Sequence, residues 1–411
     1  MYLRPMLRSL LMTWTYCWAA ALCGQALQFQ HVTMEHGLPD NAITAVFEDR
    51  AGYIWIGTEN GLARYDGQRV ERFPPGNTGP QGNKIAAIAE SNDGRLWVAT
   101  LGGGLSMRDP RSGVFTHYGQ SPRAGALPSD LLNHVLVVND TLLVIGSQDR
   151  GAIWFNTRNG TVTAKALPNT ARSDTSASPL KSENYWCHRS LFVSPSQLLV
   201  LKMSLPTTVI VDPITGTPTN DQLVIDDPLF LCTDGVRMSN DLYLGGWQPG
   251  IKRIDLSGTR PARMLNVPDE VTCMLPWNNG LLAGTKVNGL LLLDTAGGTV
   301  AHMRHVRAQA GSLANDRVRC LLKDRRGNLW VGTASGLAIH TSETWRFTAT
   351  ALIPEDAPGS LVFRNLQQDH DGTIRIATSK GFVLVHPNTA AIRTATLVRQ
   401  GIPLEVTGLF H

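Results

Sequence analysis

Ile43-Thr-Ala-Val-Phe-Glu-Asp-Arg-Ala-Gly-Tyr-Ile-Trp-Ile-Gly-Thr58 returns later in the chain as Val318-Arg-Cys-Leu-Leu-Lys-Asp-Arg-Arg-Gly-Asn-Leu-Trp-Val-Gly-Thr333. Asp49, Gly52, Trp55 and Gly57 match Asp324, Gly327, Trp330 and Gly332, and both copies are followed by a Gly-Leu pair, Gly61-Leu62 and Gly336-Leu337. Another copy runs from Ile85 through Asp93-Gly94 to Trp97-Val-Ala-Thr100, and a late one carries Asp369-His-Asp-Gly372 and Ile374-Arg-Ile-Ala-Thr378. Weaker copies at 143–147, 198–202, 242–246 and 281–285 occupy the Trp-bearing slot in between. The aligned positions 55, 97, 144, 199, 243, 282, 330 and 375 lie roughly 40–55 residues apart, the length of a four-stranded propeller blade.

Inside one copy the residues favour strands. Ile43 to Glu48 is rich in β-branched and aromatic side chains, and Asp49 to Gly52 supplies a tight turn, since Asp bonds nearby amides and Gly tolerates positive φ. Tyr53 to Thr58, Leu62 to Tyr65 and Val70 to Phe73 complete four short strands. A lone blade cannot bury both faces, so stacking around an axis is required, with Trp55, Trp97 and Trp330 expected to fill the gaps between blades. The predicted fold class is all-β, a β-propeller of four-stranded blades with seven blades plus the start of a second ring; one eight-bladed ring is the alternative. Phe29 to Val32 resembles the outermost strand of a blade and is expected to complete the last one and clamp the ring.

The composition agrees. With 43% hydrophobic and 17% charged residues the chain is far from the disordered regime. Its basic residues are scattered, which excludes an electrostatic footprint for nucleic acid. Arg4 and Arg8 precede an apolar run from Leu10 to Cys23, then Gly24-Gln25-Ala26. That run is roughly 14 residues, short of the roughly 20 a membrane span needs, so residues 1–26 read as a signal peptide, the protein as periplasmic, and the mature chain as free of membrane spans. Cys273 and Cys320 fall in the innermost strand at the slot of Ala45 and Ala87, and Cys187 and Cys232 are placed there too. One small hydrophobe per blade reads as packing rather than disulfide pairing, and no clustered Cys/His spacing marks a metal site.

The repeat resembles the two-component regulator propeller family, whose unit looks like Asp-x-x-Gly-x-(Leu/Ile)-Trp-(Ile/Val)-Gly-Thr followed by Gly-Leu and an aromatic-Asp pair. Asp49 to Asp66 fits throughout and Asp324 to Leu337 fits up to the Gly-Leu pair. The resemblance covers residues 27 to 411, with the middle four copies departing from the pattern. It implies tandem seven-bladed periplasmic sensor propellers of receptors that continue into a β-sandwich, a transmembrane helix and a histidine kinase or diguanylate cyclase output. On this basis 27–350 is the sensor propeller and 351–411 the start of a second one, or an eighth blade. Val406 to His411 matches Ile43 to Glu48, so the chain is expected to stop inside a repeat, before its membrane and output parts.

No nucleophile elbow, phosphate loop or oriented Ser/His/Asp set is visible, so no catalytic residue, metal ligand or cofactor is assigned. Asn41, Asn83, Asn133, Asn184 and Asn315 recur in the loops leading into innermost strands and are expected to cap backbone there. Repeat four departs most, with Asn184-Tyr-Trp-Cys-His-Arg189 after an insertion from Asn169 to Glu183. Trp186 and His188, alternating on one strand, are predicted to line a pocket with Arg189, Trp247, Gln248 and Asn184. An aromatic wall with polar tips suits a small molecule or oligosaccharide. The expected function is non-catalytic ligand sensing, in a receptor that pairs as a homodimer. The alternatives are a secreted lyase or glycan-active enzyme and a protein-binding scaffold.

Overall fold

In a computed structural model the described residues are 27–166, 186–202, 208–219, 230–307, 309, 311–341, 363–369, 373–378, 381–386, 391–395, 398–399 and 402–403. The predicted signal peptide, the insertion before Asn184, and Asn184 itself lie outside them. The chain divides into two compact units, 1–343 and 344–411.

Among its described residues the first unit is all-β apart from one 3-10 turn, Met34–His36. Blade 1 pairs Ile43–Glu48, Ile54–Thr58, Gly61–Tyr65 and Val70–Phe73 in order, and blades 2 (85–118) and 3 (132–166) repeat the meander. Blade 4 shows three strands among the described residues, Cys187–Ser194, Gln197–Lys202 and Thr208–Val211. Blades 5 and 6 share one long strand, Arg263–Trp277: its first half pairs with Pro249–Asp255 as the edge of blade 5, and its second half pairs with Gly280–Thr285 as the inner strand of blade 6. Blade 7 consists of Val318–Lys323, Leu329–Thr333 and Gly336–His340, and its fourth strand is Gln30–Val32 from the N-terminus. The inner strand of blade 7 also lies against that of blade 1. The seven blades therefore close on themselves, and the strand predicted at Phe29 to Val32 is the clamp.

Each conserved letter of the repeat has a physical task. Asp49 Oδ1 accepts the Tyr53 amide at 2.9 Å, fixing the turn, while Oδ2 accepts the Trp55 indole Nε1–H at 2.7 Å. Asp324 does the same for Asn328 and Trp330, at 2.8 and 2.9 Å. Aspartate and tryptophan thus occur together because one carboxylate satisfies both. Gly52 and Gly327 hold φ of 90° and 85° in that turn, where a side chain would be strained. The threonine ending the motif bonds the carbonyl of the following glycine, Thr58 to Gly61 at 2.8 Å and Thr333 to Gly336 at 2.7 Å. The arginine after the aspartate bridges to the next blade. Arg50 reaches Asn92 Oδ1 at 2.8 Å, and Arg325 reaches Glu48 Oε1 and the Arg50 carbonyl, both at 3.0 Å.

The tryptophans fill the seams as predicted. Trp55 packs with Ile85, Leu96 and Val98 of blade 2, Trp97 with Leu132, Leu143 and Phe155 of blade 3, and Trp330 with Ile54, Ile56 and Ala63 of blade 1. Blade 3 carries no Trp in the slot, and its wedge, Trp154, comes from its third strand and donates to the Pro213 carbonyl at 2.9 Å.

The glycine of the Gly-Thr pair is a packing determinant. A Cβ on Gly57 would sit 2.5 Å from Ile85 Cγ2 of blade 2, one on Gly284 2.6 Å from Val318 Cγ1 of blade 7, and one on Gly332 2.8 Å from Ile43 Cγ2 and against Cys320 Sγ. In these seams the first residue of one inner strand presses onto the previous blade's glycine. Gly332→Ala is expected to cost about 1–3 kcal/mol by overpacking, whereas Ala99→Gly, at the slot where blade 2 accepts alanine, should cost no more than about 1 kcal/mol. Equilibrium denaturation of the two variants checks the difference.

The cysteine placement needs one correction. Cys273 and Cys320 do face Gly284 and Gly332 in the Ala45 slot. Cys187 and Cys232 instead pair with Lys202 and Gly246, two residues earlier, where blade 1 has Ile43. Both are fully buried there, substituting a thiol for a β-branched side chain at the seam. All four are free thiols.

The second unit contains a four-stranded antiparallel sheet, Phe363–Gln368, Ile374–Thr378, Gly381–His386 and Ala391–Ala395, and a short pairing of Val398–Arg399 with Ile402–Pro403.

Candidate ligand-binding site

Every inner strand of the ring carries an extra residue after its first position. Pairing skips between Ile43 and Ala45, Ile85 and Ala87, Leu132 and His134, Cys187 and Arg189, Cys232 and Asp234, Val271 and Cys273, and Val318 and Cys320. A bulge bends the strand and re-aims the side chains beside it. Repeated at the same end of seven strands, it builds two rings of side chains at one mouth of the propeller.

The rings are not uniform. After the bulge, blades 1 and 2 place Ala45 and Ala87, and blades 6 and 7 place Cys273 and Cys320; blades 3, 4 and 5 place His134, Arg189 and Asp234. Arg189 binds Asp234 Oδ1 at 2.7 Å, with Asp234 only 1% exposed. Asp234 also accepts the amides of Gly235 at 2.8 Å and Met274 at 2.7 Å, so a single carboxylate joins blades 4, 5 and 6. Burial pushes its carboxyl above the usual range, against the pull of Arg189 and the two amides. Burial, reinforced by the charge of Arg189, pushes the His134 imidazole down to about 3 and keeps it neutral near pH 7.

Above this pair stands an aromatic corner. Trp186 and His188 stack with centroids 4.7 Å apart and planes 17° apart, and Trp247 meets them edge-on at 6.5 and 6.4 Å. Trp247 is 44% exposed. Burial pushes His188 down to about 4. Trp186 Nε1, His188 Nε2, His134 Nε2 and Asn133 Oδ1 are buried with no hydrogen-bond partner.

Of the residues singled out from sequence, Trp186, His188 and Trp247 come together. Gln248 lies half-buried beside Trp247 in the same loop. Arg189 pairs one guanidinium nitrogen with Asp234 and keeps 44% of its side chain exposed. Sequence reasoning missed His134 and Asp234, and grouped Asn133 with the loop asparagines. The structure places Asn133 in the strand Leu132–Asn139, at the bulge. Asn41 and Asn315 do cap backbone, accepting the amides of Met34 and Arg317, both at 2.8 Å.

On the opposite arc of the mouth the charged side chains pair with one another, while the Thr44 hydroxyl is unpaired among the described residues. Glu59 binds Arg319 at 2.6 Å and Lys84 at 3.4 Å, which lowers its carboxyl pKa chiefly through the Arg319 hydrogen bond. Lys286 binds Glu270 at 2.9 Å. In blades 5 and 6 the bulge residues Thr233 and Thr272 bond the first carbonyl of the next blade, Val271 at 2.6 Å and Val318 at 2.7 Å. Among the described residues no group of three or more His, Cys, Asp or Glu is placed to hold a metal ion, and no helix is long and apolar enough to cross a membrane.

Three segments, 37–60, 79–102 and 312–335, match the family model of the two component regulator propeller. A stretch of 78 residues is 33% identical to Histidine kinase P4 of Formosa agariphila, covering 17% of this chain and 6% of that one. Among solved structures, the chain is similar to the extracellular domain of BT3049 of B. thetaiotaomicron, assigned as a hybrid two component system, with a TM-score of 0.65 and 18% identity over 90% of this chain and 49% of that one. It is also similar to the extracellular domain of BT4673 of the same organism (TM-score 0.61, 18% identity, 92% and 48% covered). The chain thus spans about half the length of these domains. The virginiamycin B lyase of Staphylococcus aureus shares the fold at a TM-score of 0.58 and 13% identity, over 77% of this chain and 99% of that one.

Proposed function

We propose that this chain, three of whose repeats match the two component regulator propeller, is the ligand-sensing propeller of a bacterial transmembrane signalling receptor of the two-component or diguanylate cyclase type. It works outside the cytoplasmic membrane and without catalysis; residues 1–26 serve as its export signal, and 351–411 open a second ring. The observation that supports the reading is the asymmetry of the mouth. Four blades hold alanine or cysteine after the bulge, while blades 3 to 5 set polar groups there beneath an exposed tryptophan. A ring that needed only to fold would have no use for that substitution. Likeness to extracellular domains of signalling systems supports the sensory role, and the lyase likeness, at 13% identity, bears on the fold alone. Ligand binding at the mouth biases receptor geometry and so the output.

The test is thermal denaturation of the full chain against a library of mono- and oligosaccharides. A ligand at a hundredfold excess over its Kd is expected to raise Tm by about 3–5 °C. Trp247→Ala should abolish the shift while leaving the unliganded Tm nearly unchanged, because the side chain is 44% exposed. An undiminished shift in the variant, or chemical turnover of the ligand by the wild type, overturns the proposal.

A further inference from the structure

Four of the seven buried side-chain polar atoms that lack partners among the described residues belong to Asn133, His134, Trp186 and His188, on blades 3 and 4. Elsewhere on the ring the hydroxyls of Thr233 and Thr272 at the same bulge bond the next blade, and blade 1 leaves a single hydroxyl, that of Thr44, unpaired there. An unpaired buried polar atom costs about 1–3 kcal/mol, and native proteins leave few. Four at one mouth, beneath a tryptophan that is 44% exposed, mark a place where hydrogen bonds are supplied by something else.

The charges indicate what kind of group supplies them. Arg189 and Asp234 neutralise each other at 2.7 Å. Arg189 is the charge that bears on His134, and none bears on His188. Lys202 is the cross-strand partner of Cys187, which packs with Leu142, Val144 and Trp154 of blade 3, so its stem lies in that seam. The unpaired set is neutral: an indole N–H donor, an amide acceptor and two uncharged imidazoles, of which His134 already spends its other ring nitrogen on the Ser190 backbone. An anion gains nothing from an amide oxygen and less from Arg189, 44% exposed but already balanced by Asp234, than from a free arginine, and leaving its own charge desolvated is costly. A hydroxyl both donates and accepts and so matches every member.

We infer that the mouth between blades 3, 4 and 5 binds an uncharged sugar ring, whose apolar face lies on Trp247 and whose hydroxyls satisfy Asn133 Oδ1, His134 Nε2, Trp186 Nε1 and His188 Nε2, and that it discriminates against acidic sugars. This rests on the sensory reading above and adds the ligand class. No hydrogen bond from a described residue occupies Trp186 Nε1 or His188 Nε2, so both atoms are available to the hydroxyls.

The experiment is calorimetric titration of the full chain with neutral cello-, xylo- and manno-oligosaccharides and with acidic oligogalacturonates and oligoalginates. Two variants are included, Trp247→Ala and His134→Ala, the latter installing the residue that blades 1 and 2 carry in that slot; their melting curves establish folding. A neutral member is expected to bind with little salt dependence, to lose affinity at least tenfold in Trp247→Ala, and about tenfold in His134→Ala for one lost hydrogen bond. Preferential binding of an acidic member that is lost in Trp247→Ala overturns the inference and leaves the sensory reading standing. Neutral binding that both variants retain unchanged overturns the site. A wild-type protein that binds no member overturns the inference and leaves standing the sensory reading, which names no ligand class.

Discussion

Trp330→Ala is expected to lower the unfolding free energy by about 3–5 kcal/mol, the range for removing a large aromatic side chain from a core. The indole is 5% exposed, packs against Ile54, Ile56 and Ala63 of blade 1, and meets Tyr65 edge-on at 5.9 Å. Its loss opens a cavity at the seam where the ring closes. The surrounding strands cannot collapse into it, because Gly332 and Ile43 already set the blade spacing beside it. Trp330→Phe should recover most of the packing and forfeit chiefly the 2.9 Å bond to Asp324, a loss of about 1–1.5 kcal/mol. Denaturant titration of both variants checks this, and equal losses would show that the seam depends on the hydrogen bond rather than on filled volume.

The second large effect is on pH. His134 and His188 are held near 3 and 4 in the folded protein, against about 6.5 in an unfolded chain. Both are depressed, so the stability they contribute is fully present above about pH 6.5. It is lost as pH falls toward the folded values, because the unfolded chain takes up protons that the native one refuses. By pH 5 each should have cost about 2 kcal/mol, at about 1.36 kcal/mol per pH unit. Asp234 acts in the opposite sense, since its raised carboxyl is protonated in the native state first. Comparing wild type with His134→Ala/His188→Ala isolates the histidine part: from pH 7 to 5 the variant should lose less stability than the wild type, by about 4 kcal/mol for the two rings, and a parallel decline would refute the assignment.

The ring could be deduced from sequence because each motif residue answers a local demand. Aspartate and tryptophan share a hydrogen bond six residues apart, and glycine and threonine serve one turn and one contact. Such short-range tasks leave a repeated spacing. The wedge of blade 3 left none, since Trp154 sits on the third strand and finds its partner 59 residues away at Pro213. The site was half legible for the same reason. Trp186 and His188 alternate along one strand and were visible as a pair, and Trp247 stood out in a loop. His134 and Asp234 were hidden because their meaning is positional. Only when the inner strands are registered on their bulges do they fall where alanine stands in blade 1. The same slip moved Cys187 and Cys232 to the wrong slot, as a bulge shifts the register that a simple count assumes.

The strand Gln30–Val32 completes the last blade, and His340 bonds the Gln28 carbonyl across 312 residues. The first strand of the ring to emerge therefore waits for a partner that lies 312 residues behind it. Until then the nascent chain is an open crescent with two unsatisfied sheet margins, each a template for pairing with another molecule. Joining the ends is therefore the last and slowest act of maturation, since long-range closure must precede its reward. A helper that shields the leading segment during that interval would serve this architecture better than one acting on any finished blade.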